Sequence, residues 1–275
     1  MAQISLPFGY SNLTTLEHLD ILSSKFRKMA TLSNLGVNAN STFRQGPLVQ
    51  RKGRRPRKSP AGISTNDLIF SASVGTNAEI FPSILSLYVA PHSTVADITY
   101  GKGVFWKAIA PTSYRLLATD IKRGVDARKL PYGDASVDCV VFDPPYMHTP
   151  GGTAHDGHQS FEHYYGNNGK NRTELKYHDA VLDLYFQSSA EAWRVLKNGG
   201  IFIVKCQDEV CACRQRLTHV EIINELTKSM FVAEDLFVLL RQNRPGVSRI
   251  IRQRHARKNH SYFVVFRKRP CKTRL

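Results

Sequence analysis

Residues Val140–His148 read VVFDPPYMH, an apolar run that ends on a carboxylate followed by two prolines and an aromatic ring. Proline has no N–H to give to a sheet ladder, so the buried strand in VDCVVF must stop at Asp143. Pro144, Pro145 and Tyr146 are then held stiffly at the carboxyl end of the strand, where open α/β sheets receive their ligands. A flat ligand stacked on Tyr146 would present a polar edge to Asp143.

On both sides of this point, from Asn66 onward, short apolar strands alternate with helical patterns. TVADITY, YRLLATD and IFIVK read as further strands, and AEIFPSILSLYV as a helix that tolerates Pro82 only in its first turn. Ala180 to Leu196 reads as a helix stopped by Asn198-Gly199-Gly200, and THVEIINELTKSM as the next. DLFVLLRQ and SYFVVFRK have no helical pattern between them and are expected to pair antiparallel at one end of the sheet. The fold class is therefore α/β: a mostly parallel sheet with an antiparallel C-terminal strand.

Residues 66–275 form the catalytic domain in this reading. Residues 1–40 are a helical extension, with Leu13, Leu16, Leu19, Leu22, Phe26 and Met29 every three or four positions and a Thr14/Glu17 capping box. Residues 41–65 dissolve into Gly, Pro, Ser and Arg and read as a flexible basic linker.

The chain of 275 residues is 42% apolar and 10% aromatic, as globular proteins are. No apolar run reaches the roughly 20 residues needed to cross a bilayer, and MAQISLPFGYSN lacks the basic start and apolar centre of a signal peptide. A cytoplasmic protein with no membrane association is expected. The five cysteines show no disulfide framework, and CQDEVCAC has no zinc-site spacing, so reduced thiols and no metal are expected. The formal net charge of +16 is concentrated in two places. RKGRRPRK, residues 51–58, holds six Lys or Arg, and residues 236–275 hold twelve with no Asp or Glu. The remainder carries 20 basic and 22 acidic residues, so the excess is local and fits a polyanionic partner such as nucleic acid.

In ADITYGKGVFW a strand ends at Asp97, and Gly101 and Gly103 open a turn whose backbone a ligand can approach closely. Asp120 ends the following strand, a usual place for a carboxylate that receives the two hydroxyls of a ribose. Asp126 lies where a third strand would end, within reach of an adenine amine. The pattern favours a nucleoside-containing cofactor, and the absence of a P-loop ending argues against a triphosphate.

Taken in order, these stretches resemble the class I S-adenosylmethionine-dependent methyltransferases, with their Rossmann-like sheet. DPPY resembles the amino-methyltransferases of nucleic-acid bases. RVLKNGGIFIVK resembles the helix, glycine turn and fifth strand of that fold, and HARKNHSYFVVFRK the last strands of bacterial and phage DNA methylases. The resemblance covers residues 66–269. It implies S-adenosylmethionine as cofactor, with Asp97, Thr99, Gly101 and Gly103 around its methionine part, Asp120 at the ribose, and Asp126 with Ala127 at the adenine. Phe81 and Pro82 match the helix before the first strand. The family more often has Phe at the position of Thr99 and a small residue at that of Tyr100.

The resemblance also gives the opening stretch a chemistry. An exocyclic base amine is a poor nucleophile because its lone pair is delocalised into the ring. Asp143 would accept one amine hydrogen and the Pro144 carbonyl the other, with Tyr146 stacked on a base swung out of the duplex. Positioning and electrostatics then supply most of the catalysis, without a metal. DPPY is commonest in adenine-N6 enzymes. Cytosine-N4 enzymes more often have Ser for the Asp, and some guanine-N2 enzymes of ribosomal RNA also carry DPPY. DNA adenine is the leading substrate. Cytosine, an RNA base and a binding-only protein with a degenerate fold stand as alternatives.

Only about 40 residues separate the cofactor segment from DPPY and few follow the final strand, which leaves little room there for a recognition domain, so target reading falls to other parts of the chain or to a restriction or specificity partner. The loop from Met147 to His178 is one candidate. Its His148, His155, His158 and His163 are too irregularly spaced for a metal site. A second is the arm formed by Arg51, Lys52, Arg54, Arg55, Arg57 and Lys58, suited to phosphates or to a minor groove. The final basic stretch, with Arg252, Arg254, Arg257 and Lys258, is expected to grip backbone. The sequence sets no oligomeric state.

Overall fold

Val137–Phe142 (β4) is buried along almost its whole length, as expected of a strand covered on both faces. It runs parallel between Thr94–Asp97 (β2) and Leu196–Cys206 (β5). The computed structural model describes residues 68–147, 165, 175, 177–242 and 252–270. The readings of residues 1–65, of most of the long loop after Met147, and of its four histidines fall outside them.

The remaining strands of the main sheet are Ala72–Val74 (β1), Arg115–Ala118 (β3), Phe231–Leu240 (β8) and His260–Lys268 (β9). The seven strands lie in the order β1-β8-β9-β5-β4-β2-β3. Only β9 is antiparallel, and it pairs with β5 on one side and β8 on the other. The expected pair of late strands is therefore present, but β1 extends the sheet beyond it, parallel to β8. β1 escaped the sequence reading because ASV is short and mostly exposed.

Alternate residues of the strands feed two cores. Val95, Cys139, Val141, Ile203, Phe263 and Val265 meet the helix Asn77–Tyr88 (α1) through Phe81, Ile84 and Leu85. Ala96, Val140, Phe142, Phe202, Val264 and Phe266 meet Tyr177–Val195 (α2) and Thr218–Leu226 (α3) on the other face.

Three local expectations are corrected. Pro82 is the sixth residue of α1 rather than in its first turn. The Glu79 carboxylate accepts the Thr76 N–H at 2.7 Å and fixes the start of the helix earlier. An interior proline costs about 3 kcal/mol. Burying Ile80, Phe81, Ile84 and Leu85, at about 1.5–3 kcal/mol each, offsets that.

Second, Asn198-Gly199-Gly200 does not separate α2 from a later strand. β5 begins at Leu196, directly after the helix, and the glycines form a bulge in it. Gly199 has φ +75°, and a Cβ on Gly200 would lie 2.9 Å from the Lys197 carbonyl oxygen. Third, there is no strand before Asp126. Arg128 and Lys129 N–H groups fold back onto Asp126 and make a turn there, leaving β3 as the sheet edge.

A hairpin absent from the sequence reading follows β5: Glu209–Cys211 (β6) pairs with Arg214–Arg216 (β7). Its tip residues, Ala212 and Cys213, have φ +48° and +60°. Such two-residue turns favour Asn-Gly, because a left-handed conformation costs about 1 kcal/mol or more for a residue with a Cβ. Replacing Ala212-Cys213 by Asn-Gly is expected to stabilise the protein by about 1 kcal/mol, read as a higher denaturation midpoint. An unchanged or lower midpoint would contradict a strained tip.

Candidate active site

Four strand ends bring the proposed site together at the carboxyl edge of the sheet. At the end of β4, the Asp143 N–H donates to Thr99 Oγ1 at 2.6 Å, tying the DPPY segment to the loop after β2. The Tyr146 hydroxyl donates to Asp143 Oδ1. The sequence reading did not include Lys205 of β5, which is buried and donates to the Tyr146 hydroxyl. Its Nζ lies 3.4 and 3.5 Å from the two Asp143 oxygens. Register explains the meeting: Phe142 pairs with Val204, so the next residue on each strand is Asp143 and Lys205.

Lys205 Nζ also sits 4.9 Å from the Tyr146 ring centroid and 5.7 Å from those of Phe105 and Phe263. Burial lowers its pKa below the ordinary lysine value, and the Asp143 charge opposes that shift. Burial, then the Asp143 charge, pushes the Tyr146 phenol well above its usual range, so it remains a donor.

The carboxylates expected around the cofactor all hold backbone or neighbouring side chains. Asp97 is 3% exposed and accepts Thr99 N–H at 3.1 Å and Trp106 Nε1–H at 2.7 Å. Burial raises its pKa to about 7 against the pull of those two donors. Asp120 accepts Gly101 N–H and Lys122 N–H, both at 2.9 Å, and so joins the first two loops. Asp126 is gripped by the Arg128 guanidinium, with Nη2 at 2.7 Å, and its pKa is lowered against the opposing effect of burial. Ala127 is fully buried beside it.

Tyr165 of the long loop was also missed in the sequence. It is buried, has Arg128 over its ring at 5.8 Å, and lies within the fields of Asp120 and Asp126. Burial, followed by those two charges, raises its phenol pKa. It therefore lies beside Asp120 and Asp126.

Gly101 has φ +50°, and its open side meets only Thr99 O at 3.8 Å and Asp120 Oδ2 at 4.0 Å. Gly103 differs. A Cβ there would stand 2.5 Å from the Tyr100 hydroxyl and 2.6 Å from its ring, so this glycine makes room for Tyr100 rather than for a ligand. Arg123 covers the Tyr100 ring at 5.2 Å. Gly103→Ala is expected to destabilise the protein by about 1–3 kcal/mol, from overpacking and from φ +64°. Adding Tyr100→Ala should recover the overpacking part, as thermal denaturation of the single and double variants would show. A full effect in the double variant would rule out the Tyr100 contact as the cause.

Phe81, matched by resemblance to the helix before the first strand, lies in α1 and is core: its ring packs against Phe105 at 4.9 Å, Trp106 at 5.4 Å and Phe263 at 6.3 Å. Pro82 is half-buried in the same helix. At the other end of the site Arg252, Arg254 and Arg257 are exposed and Lys258 is half-buried, whereas the arm at residues 51–58 lies outside the described residues.

A scan against protein-family models finds no match, and a search of curated proteins finds none. Solved structures do resemble the chain. TrmN from Thermus thermophilus is 17% identical over 69% of this chain and 48% of its own, with a TM-score of 0.39. A second Thermus thermophilus protein, provisionally a DNA modification methylase and solved with S-adenosylmethionine, is 23% identical over 55% and 56%, with a TM-score of 0.34. The Burkholderia thailandensis 1,6-didemethyltoxoflavin-N1-methyltransferase, solved with its substrate and S-adenosylhomocysteine, is 12% identical over 96% and 94%, with a TM-score of 0.45. This chain thus spans about half the length of the two Thermus proteins. The sheet itself defines the class: parallel strands with one antiparallel strand set between β5 and β8 make a class I methyltransferase fold. Among the described residues no helix is long and apolar enough to cross a membrane.

Proposed function

We propose that the chain transfers a methyl group from S-adenosylmethionine to the exocyclic N6 amine of adenine in DNA. The observation that carries this reading is the position of Asp143. Its backbone is bonded to the glycine-loop segment through Thr99, and its carboxylate is held by Tyr146 and Lys205 at the strand mouth.

The residues present fit the cofactor. A carboxylate oxygen has two acceptor sites, so Asp120 retains one on each oxygen for a vicinal diol after receiving its two backbone N–H groups. Gly101 leaves its face open toward Asp120, and the Tyr165 ring lies within the fields of Asp120 and Asp126, where a purine would stack. When bound, S-adenosylmethionine supplies a methyl group made electrophilic by its sulfonium.

The rest is done by the chain's own groups. Tyr146 donates to Asp143 Oδ1 and Lys205 lies about equally far from both oxygens, which leaves Oδ2 the less engaged acceptor for an amine hydrogen. Accepting that hydrogen draws electron density back onto nitrogen and stabilises the positive charge that develops as the N–C bond forms. Asp143 is also placed to take the surplus proton. The Pro144 carbonyl would receive the second amine hydrogen, and the ring of Tyr146 would carry the base.

Mass spectrometry of nucleosides, after incubation of the protein with labelled S-adenosylmethionine and DNA or RNA, tests the reading. Labelled N6-methyladenine from DNA is expected. Labelled N4-methylcytosine or a methylated RNA base would overturn the substrate and keep the amine chemistry. Bound cofactor without label on either polymer would overturn the enzyme.

A further inference from the structure

The hairpin and the last basic stretch are tied together. His255 Nε2 lies 3.0 Å from the Cys213 carbonyl oxygen at the hairpin tip, and Gln207 Nε2 donates to the Lys258 carbonyl at 3.3 Å. Arg241 N–H donates to the Asn259 carbonyl at 2.8 Å and closes the same segment onto the end of β8. These contacts bring Arg214, Arg241, Arg252, Arg254, Arg257 and Lys258 to one end of the sheet edge. All but the half-buried Lys258 are exposed. Among the described residues none of the six forms an ion pair.

The acids on the same elements point inward. Asp208 is buried and bonded to His219 at 2.7 Å and to Tyr262 at 3.3 Å. Glu209 is buried against His178 at 2.6 Å. On these elements the carboxylates are buried and the six cations lie outward, while Arg216 of β7 is paired with Asp179 and Glu221 of the neighbouring helices. The ridge of cations also lies near the proposed catalytic residues: the hairpin begins four residues after Lys205, and the charge of Arg241 acts on Lys205.

We propose that the β6–β7 hairpin and the segment from Arg252 to Lys258 form one docking surface for a nucleic-acid duplex. It grips phosphates beside the base being methylated, with the two-stranded ribbon at a groove. This proposal rests on the reading of the chain as a nucleic-acid methyltransferase and names the surface that reading lacks. Unpaired cations favour a polyanion, because each phosphate contact releases condensed counterions. A two-stranded ribbon is narrow enough to enter a major groove.

The test is fluorescence anisotropy of a labelled double-stranded DNA with the full chain and no methyl donor, across a salt series. Arg214→Ala combined with Arg254→Ala is expected to weaken binding about tenfold or more at low salt. It should also flatten the slope of log affinity against log salt by about two. Arg115→Ala with Lys107→Ala, which removes equal exposed charge elsewhere, should change neither. Thermal denaturation checks that both variants fold, and Arg257→Ala with Lys258→Ala serves as an independent second pair.

Wild-type affinity and slope in both ridge variants would overturn the surface. So would equal weakening by the control pair, or competition by polyglutamate as effective as by unlabelled DNA. Loss of binding only in the ridge variants supports the surface even if no base is methylated. Transfer to DNA that is insensitive to the ridge leaves the chemistry standing without it.

Discussion

Asp143→Ala is expected to lower the rate of methyl transfer by about a thousandfold, the range for loss of a positioned acceptor or charge stabiliser. Cofactor affinity should change little, because Asp143 reaches the glycine-loop segment through its backbone N–H and not its side chain. The variant leaves the buried Lys205 ammonium without its counter-charge, so folding must be checked by denaturation. Asp143→Asn supplies the second comparison: it keeps an oxygen that can accept from Tyr146 and loses the charge. Single-turnover rates and calorimetric binding of S-adenosylhomocysteine separate the effects. A rate within tenfold of wild type in the alanine variant would remove Asp143 from the chemistry.

The strands that carry the site were legible because they are apolar, mostly buried apart from the edge strand β3, and end at charged or proline-rich turns. β4 ends before Asp143 as the proline pair requires, and β2 and β3 end at or beside the carboxylates read from the sequence. The elements that were missed give weak one-dimensional signals. β1 is three residues long with an exposed first and last residue, and β6 and β7 are three residues each, joined by Ala-Cys instead of a turn signature. The predicted strand before Asp126 failed because the Asp126 side chain accepts the Arg128 backbone N–H and turns the chain there. Tyr165 lies in a stretch with no periodicity, and only the fold brings it to Asp120 and Asp126.

The roles of the acidic residues also changed in three dimensions. A carboxylate at a strand end reads from the sequence as a ligand acceptor, but backbone N–H groups at loop starts need acceptors as well. Asp97 and Asp120 meet that need, and this fixes the loops before any ligand arrives. Asp97, with both oxygens engaged and almost no exposure, shapes the cofactor loop; Asp120 shapes it and keeps acceptor capacity. The glycine pair divides in the same way, with Gly101 open and Gly103 covered by Tyr100.

Lys205 was within reach of sequence reasoning, since IFIVK and VVFD in adjacent parallel strands place a lysine beside the aspartate once their register is known. Lys205→Met retains the length of the side chain and its apolar fit among Tyr146, Phe105 and Phe263, and removes the charge. Tyr146 then loses one of the two groups that fix its hydroxyl, and Asp143 loses its cation. A displacement of about 1 Å at a reacting group can cost about a hundredfold in rate, and a fall of that size in kcat is expected with cofactor affinity retained. A second readout separates this positioning role from general damage to the fold. Because the native Lys205 pKa lies below the unfolded value of 10.5, the unfolded chain binds a proton that the folded chain releases in that interval. Wild-type stability must therefore rise with pH from the lowered native value toward 10.5, and the cost of burying the charge is present in full only below that interval. The methionine variant lacks this rise. Denaturation midpoints measured from neutral to alkaline pH should show wild type gaining on the variant, and parallel curves would mean that the Lys205 charge is not suppressed by its burial.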